Sequence, residues 1–328
     1  MMKMKNLYEN FDLARFALEN WEHDKDSLDD MLARFRISSN AIYPFLSGGS
    51  LMFLRMAPTD EKEEVNLLGE LEFVGYLGEN GFPALRPVKS KDGRLLIKLD
   101  TEWGGYFASV FAAVDSEAVD DTDYSAEIMY SFGRTLGRLH ALSAVFCPQT
   151  KKQSHEDILE RISDIFTALN VPVSAWRELE EVKSQLARLT KTSANYGLVH
   201  YDFEPDNVFY SGNEFCSVID FDDGIYHWYA LDIVQALDSL GDELGDDPIK
   251  LGTAKSELLR GYKAEYEFTE ETERLLPLMR RFVNLYGYAR IIRCTAEILP
   301  DEPDWVGELR EKLAGAAQAK ERSCAAEI

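Results

Sequence analysis

Residues 198–223 read LVHYDFEPDNVFYSGNEFCSVIDFDD, and the reading of this stretch decides the fold. An apolar pair, Leu198 and Val199, leads into His200. A tight polar loop follows with Asp202, Glu204, Pro205, Asp206 and Asn207. Val208 to Tyr210 reads as a short return strand and Ser211, Gly212 and Asn213 as its turn. Phe215 to Phe221 reads as a last strand that delivers Asp220, Asp222 and Asp223. An acid, a neutral amide and a further acid are therefore expected at one end of a small sheet.

The chemistry that needs this set is phosphoryl transfer. A nucleoside triphosphate brings Mg²⁺, a hard cation that takes oxygen ligands. Asp220 offers a charged oxygen to the metal, and Asn207 a neutral one that does not cancel its charge. Asp202 is placed to accept the hydroxyl proton of an acceptor. His200 has no free role in this scheme and is expected to pin the loop by hydrogen bonds to backbone. Asp222 stays open between a second metal ligand and a solvated turn acid. Glu204, Asp206 and Asp223 are expected on the loop surface.

The spacing His-x-Asp-x-x-x-x-Asn followed by a strand ending in Ile-Asp resembles the catalytic core of eukaryotic-like kinases. More narrowly, HYDFEPDNVFY followed by VIDFDD resembles the aminoglycoside phosphotransferase and choline kinase group. The resemblance implies a two-lobe, protein-kinase-like α+β fold. A small N-terminal nucleotide-binding lobe with an antiparallel sheet plus helix (residues 1–115) would sit on a larger, mainly helical catalytic and acceptor-binding lobe (residues 116–328). The implied activity is transfer of the γ-phosphoryl group of ATP, with GTP left open, to a hydroxyl of a small molecule in the presence of Mg²⁺. Two rivals stand beside it: a bacterial serine/threonine protein kinase on the same core, and a nucleotide-binding scaffold without turnover.

The same resemblance assigns the upstream elements. Ala41 to Phe45 and Ser50 to Met56 read as strands joined by a turn at Leu46 to Gly49. The family's phosphate-covering hairpin falls here, with Ser38, Ser39 and Asn40 at its tip, although a glycine-rich pattern is absent there. Arg55 matches the basic residue that holds the α- and β-phosphates. Its guanidinium fork suits two phosphate oxygens. A helix over Glu63 to Glu79 carries Glu70, the match for the acid that fixes this base, and Glu72, expected in solvent. Tyr106 to Val114 reads as the last strand of the sheet. It leads to a connector in which Ala112 to Asp115, Ala112 and Val114 among them, are the candidates for backbone contacts with the base. Asp232 matches an acid that braces the catalytic loop through backbone N–H groups. His140 is expected to be a core or interface histidine.

Composition narrows the remainder. The net charge of −23 disfavours nucleic acid and anionic membranes as partners; it fits a cationic acceptor and equally a solubility feature. Cys147, Cys216, Cys294 and Cys324 are scattered, which fits reduced thiols in a cytoplasmic protein. The N-terminal MMKMKNLYENF has no apolar core of the kind a signal peptide needs. The longest apolar run, Tyr106 to Val114, is far short of the ~20 residues of a membrane helix. Helices are expected near Glu9 to Trp21, Asp26 to Phe35, Tyr124 to Ala144, Glu156 to Ala168 and Trp176 to Leu189. More follow over Lys250 to Tyr266, Glu270 to Leu299 and Trp305 to Ala317. Asp242 to Asp247 reads as an exposed acidic loop, Arg280, Arg281, Arg290 and Arg293 as a solvated helix face, and the tail from Gln318 as fraying. Oligomeric state is not legible.

Overall fold

Gly48 and Gly49 adopt left-handed backbone (φ 57° and 77°), as a two-residue hairpin turn requires, and Asp24 accepts both of their N–H groups at 2.9 and 2.8 Å. The turn fixes the register of the hairpin that begins the sheet. In the computed structural model, which describes residues 2–298 and 302–326, helices α1 (Phe11–Leu18) and α2 (Leu28–Leu32) precede this sheet. Its strands are β1 (Arg36–Ile37), β2 (Ala41–Ser47), β3 (Ser50–Pro58), β4 (Pro87–Val88), β5 (Ile97–Thr101) and β6 (Gly104–Ala112). They pair antiparallel in the order β1-β2-β3-β6-β4, with β5 also on β6. Helix α3 (Glu64–Glu79) lies between β3 and β4 in sequence.

The rest of the chain is mainly helical: α4 (Ala126–Ser143), α5 (His155–Leu169), α6 (Val173–Leu186), α7 (Ala230–Leu244), α8 (Pro248–Glu265), α9 (Glu270–Thr295) and α10 (Asp304–Ala326). Short strands are set among them. β8 (Tyr196–Val199) pairs with β11 (Ile225–Trp228), and β9 (Val208–Tyr210) is flanked by β7 (Glu117–Ala118) and β10 (Ser217–Val218). No helix among the described residues is long and apolar enough to cross a membrane.

Two apolar cores result. Leu13, Ala17, Leu18 and Trp21 of the first helix and its end pack on Leu54, Met56 and Val110 of the sheet. The larger core gathers residues such as Phe132, Leu136, Ile162, Val182 and Phe282 from the helices. Phe73, Val74 and Leu77 of α3 belong to that second core, so α3 fastens the sheet half to the helical half. Met4 closes a small third cluster with Cys294 and Val306.

Several expectations are corrected. The strand expected over Phe215 to Phe221 is only two residues long, because Asp220 turns into left-handed backbone (φ 59°). His227 and Trp228 are strand residues registered on Gly197 and Tyr196. Asp242 lies inside α7, which runs on to Leu244 because Leu240 and Leu244 are buried one turn apart. The tail does not fray at Gln318: α10 continues to Ala326, with Cys324 buried and the Lys320 carbonyl accepting Asn284 Nδ2 at 3.0 Å.

Glycines let α4 and α8 touch. A Cβ on Gly133 would sit 1.9 Å from the Leu258 carbonyl oxygen, and one on Gly261 2.1 Å from that of Tyr130. Gly133→Ala should therefore force the two backbones apart and cost roughly 1–3 kcal/mol. The drop in unfolding free energy in urea checks this; an unchanged value would contradict the close approach.

Candidate active site

The loop after β8 is built from inside the core. His200 is fully buried. Its Nε2 donates to the Ile219 carbonyl at 2.8 Å and its Nδ1 accepts the Asp202 N–H at 3.2 Å. One neutral tautomer satisfies both bonds, and burial lowers the ring's pKa in keeping with that form. Asp232, at the start of α7, is also fully buried. Its carboxylate accepts the N–H groups of His200 and Tyr201, each at 2.8 Å. It also lies 3.1 Å from Nε2 of His140, whose other ring nitrogen meets the Tyr262 hydroxyl at 2.9 Å. Tyr201 is held at φ 70°, a conformation that costs a bulky residue about 1–3 kcal/mol and persists only where its surroundings impose it.

Beyond this bend the side chains of Asp202 and Asn207 meet. Asn207 Nδ2 donates to both the carbonyl and the Oδ2 of Asp202, each at 3.0 Å. With both amide hydrogens spent on Asp202, the Asn207 side-chain oxygen is the atom left to a cation. The Asn207 carbonyl accepts the Ile219 N–H at 3.0 Å, which sets Asp220 beside it. Among the described residues the Asp220 carboxylate accepts no hydrogen bond. Burial and the neighbouring Asp222 push its pKa up to about 7. Burial and Asp223 push Asp202 up to about 6.

Arg55 of β3 and Glu70 of α3 form a bidentate ion pair, both bonds 2.7 Å, almost wholly out of solvent. Burial disfavours the guanidinium charge, but Glu70 more than compensates, and Asp222 and Asp220 add to it. The guanidinium also lies 4.7 Å from the Phe111 ring.

Of the remaining acids, Asp222 and Asp223 are paired with basic side chains. Asp222 is buried, and its Oδ2 accepts Lys62 Nζ and, at 3.0 Å, Asn40 Nδ2 from the β1–β2 tip. Burial raises the Asp222 pKa, but Lys62 and Arg55 outweigh it and hold the group at about 2. Asp223, expected on the surface, pairs with Arg290 of α9 at 2.7 Å. Burial opposes ionisation there too, and Arg290 and Lys62 overcome it, keeping the carboxyl well below its usual range. Glu204 is half-buried and pushed up to about 7 by burial and Asp202, whereas Asp206 is exposed as expected.

The arginine face of α9 is corrected at Arg281, Arg290 and Arg293, which are part-buried in ion pairs, whereas Arg280 is exposed as expected. Arg293 binds Glu61 at 2.6 Å, Arg281 binds Glu178 at 2.7 and 2.8 Å, and Arg280 binds Asp238. Glu72 is corrected as well, because it accepts the N–H groups of Gln149 and Thr150 at 2.6 and 2.7 Å. In the connector, the Ala112 N–H is given to the Arg86 carbonyl at 2.9 Å, so Ala112 has no N–H to offer a base. Ala113 likewise donates to Leu51 at 3.1 Å, and Val114 follows the strand end. A cavity of ≈ 320 Å³ is lined by Lys62, Asp222, Asp223, Tyr286, Arg290 and Arg293, with Ser39 also in its lining.

The oxygens of Asn207 and Asp220 suit a divalent cation that keeps water and phosphate ligands. Among the described residues no group of three or more His, Cys, Asp or Glu side chains is arranged to hold a metal. Mg²⁺ characteristically binds through one or two carboxylates plus substrate phosphates, so the donor set fits it.

The phosphotransferase enzyme family matches residues 36–277. An amicoumacin kinase of Bacillus subtilis is 24% identical over 225 residues, which is 64% of this chain and 66% of that protein. The chain thus matches just under two thirds of that relative's length. The solved structure of an amicoumacin kinase in complex with AMP-PNP, Ca²⁺ and Ami superposes with a TM-score of 0.77 at 21% identity, covering 97% of this chain and 95% of the other. A microcompartment-associated aminopropanol kinase gives 0.65 at 20% identity over 97% and 98%. The two structures share this chain's fold.

The buried Arg55–Glu70 pair yields a double-mutant test. Glu70→Leu alone strands a buried guanidinium and should cost roughly 3–5 kcal/mol, whereas adding Arg55→Met should recover most of that loss. Urea unfolding of the three variants reads it; additive losses would contradict the pairing.

Proposed function

The chain belongs to the phosphotransferase enzyme family, and from that premise we propose that it is a Mg²⁺-dependent kinase moving the γ-phosphoryl group of ATP to a hydroxyl of a small molecule. The observation that carries the reading is the bonded pair of Asp202 and Asn207 with Asp220 set beside it by the Ile219–Asn207 backbone bond. Residues 1–115 are the nucleotide half in this reading and residues 116–328 the catalytic and acceptor half.

Asp202 is the base. Its Oδ2 is tied to Asn207, so Oδ1 is the atom that takes the acceptor's proton. The acceptor oxygen then bonds to the γ-phosphorus, the bond to the β-bridging oxygen breaks, and ADP leaves with the electron pair. Asn207 and Asp220 would hold the divalent ion, which when bound would neutralise charge on the phosphate oxygens. Asp222 already has Lys62 as its cation, and we assign it to holding the hairpin tip through Asn40. Arg55 spends one N–H of each terminal nitrogen on Glu70 and keeps others for phosphate oxygens. His200 and Asp232 act through the backbone of the loop. The base falls to the backbone of Val114, since Ala112 and Ala113 are committed within the sheet.

The acceptor enters through the walled cavity, whose Asp223 and Arg290 are the charges that Asp202 senses. A space of ≈ 320 Å³ fits a small molecule better than a polypeptide segment, which favours the small-molecule reading over a protein kinase. The names of the relatives point the same way, and the net charge of −23 favours an acceptor with a positive charge.

Asp202→Asn should lower turnover by roughly 10²–10⁴-fold while leaving nucleotide binding intact. ADP production across a panel of amino alcohols and amine-bearing antibiotics, with binding followed by calorimetry, checks this. Equal turnover in both proteins would remove Asp202 from the mechanism.

A further inference from the structure

One buried cation has no part in that scheme. Lys152 precedes α5 and is almost wholly enclosed, yet among the described residues it forms no ion pair. Its ammonium donates instead to the main-chain carbonyls of Phe221 and Asp222, at 3.0 and 2.8 Å. Burying an ammonium without an ion pair is costly. An apolar side chain of the same length would fill the space without that cost, so the charge must act on the two carbonyls. They belong to the residues that immediately follow Asp220.

The other end of Lys152 is fixed just as firmly. Residues 149–153 run along one face of α3 and are attached at three successive positions, three residues apart. Glu72 accepts the N–H groups of Gln149 and Thr150. Asn66 Oδ1 accepts the Gln153 N–H at 2.9 Å. Between them, Gly69 admits the lysine stem: a Cβ there would lie 2.7 Å from Lys152 Cγ and 2.8 Å from the Thr150 carbonyl oxygen. The same helix presents Glu70 to Arg55. Helix α3 thus sets the phosphate-side base on one flank and, through Lys152, the loop of Asp220 on the other.

We propose that Lys152 is a positioning residue for the divalent-cation site, a strut braced on Gly69 of α3 that pins the 221–222 backbone so that the Asp220 carboxylate stands where it binds the ion together with Asn207. The proposal rests on the kinase reading above and adds to it a residue that touches neither nucleotide nor metal.

The test uses the full-length protein and a fluorescent ATP analogue carrying a methylanthraniloyl group, titrated with Mg²⁺ and, separately, in EDTA. Lys152→Met should raise the Mg²⁺ concentration for half-maximal nucleotide binding by roughly 10–100-fold and leave binding in EDTA at the wild-type level. Gly69→Ala, which removes no charge, should shift it in the same direction, and it carries the test if thermal melts show Lys152→Met unfolded. Lys152→Arg, which keeps donors for both carbonyls, should fall between wild type and Lys152→Met. An unchanged Mg²⁺ requirement in Lys152→Met and Gly69→Ala would overturn the proposal, as would equal losses with and without Mg²⁺, the mark of a general structural role. A wild-type protein without Mg²⁺-dependent nucleotide binding would overturn the kinase reading itself.

Discussion

The carboxylate of Asp232 is the constraint from which the candidate site follows. It is buried, and it takes the N–H groups of two successive residues, His200 and Tyr201. A left-handed tyrosine would relax if those bonds were absent. With them, the chain reverses sharply and Asp202 is turned out of the core. His200 carries the same constraint sideways, because its ring ties the start of this loop to the Ile219 carbonyl next to Asp220. A core aspartate thereby fixes, through the loop backbone and the His200 ring, both the residue read as the base and the residue read as the metal ligand.

Electrostatics then divides the acids into two groups. Asp222 and Asp223 each have a basic side chain at hand, Lys62 and Arg290, and both are held ionised. Among the described residues Asp202 and Asp220 have none bonded to them, and burial with neighbouring acids pushes both up. Such a division is how a crowded site assigns different tasks to identical groups. The two raised carboxyls are the ones that the proposed mechanism assigns to taking a proton and to receiving a cation.

Most of this centre was legible in the sequence because its information is local. The spacing from His200 to Asn207 and on to Asp220 lies within one stretch, and hairpin chemistry at Gly48 and Gly49 marks the sheet. Arg55 and Glu70 could be paired because the family resemblance sets an acid of this helix against the base of this strand. What escaped was long-range. Asp222 is met by Asn40 and Lys62, 182 and 160 residues away, and no pattern near Asp222 announces them. Arg290 and Arg293 sit at polar positions of α9, and periodicity separates polar from apolar faces without showing which polar face meets another part of the protein. The continuation of α10 past the helix expected at Trp305 to Ala317 was missed for a related reason: its small and charged residues favour fraying in isolation, and packing on α9 prevails.

The central claim is that Asn207 and Asp220 share a divalent ion beside Asp202. Crystals grown with Mn²⁺ and a non-hydrolysable ATP analogue, measured at the manganese absorption edge, test it most directly. The account predicts an anomalous peak within about 2.0–2.3 Å of the Asn207 side-chain oxygen and an Asp220 carboxylate oxygen, with phosphate oxygens completing the shell. A peak at Asp222 and Asp223 with none at Asp220, or an analogue bound without any peak, would contradict it.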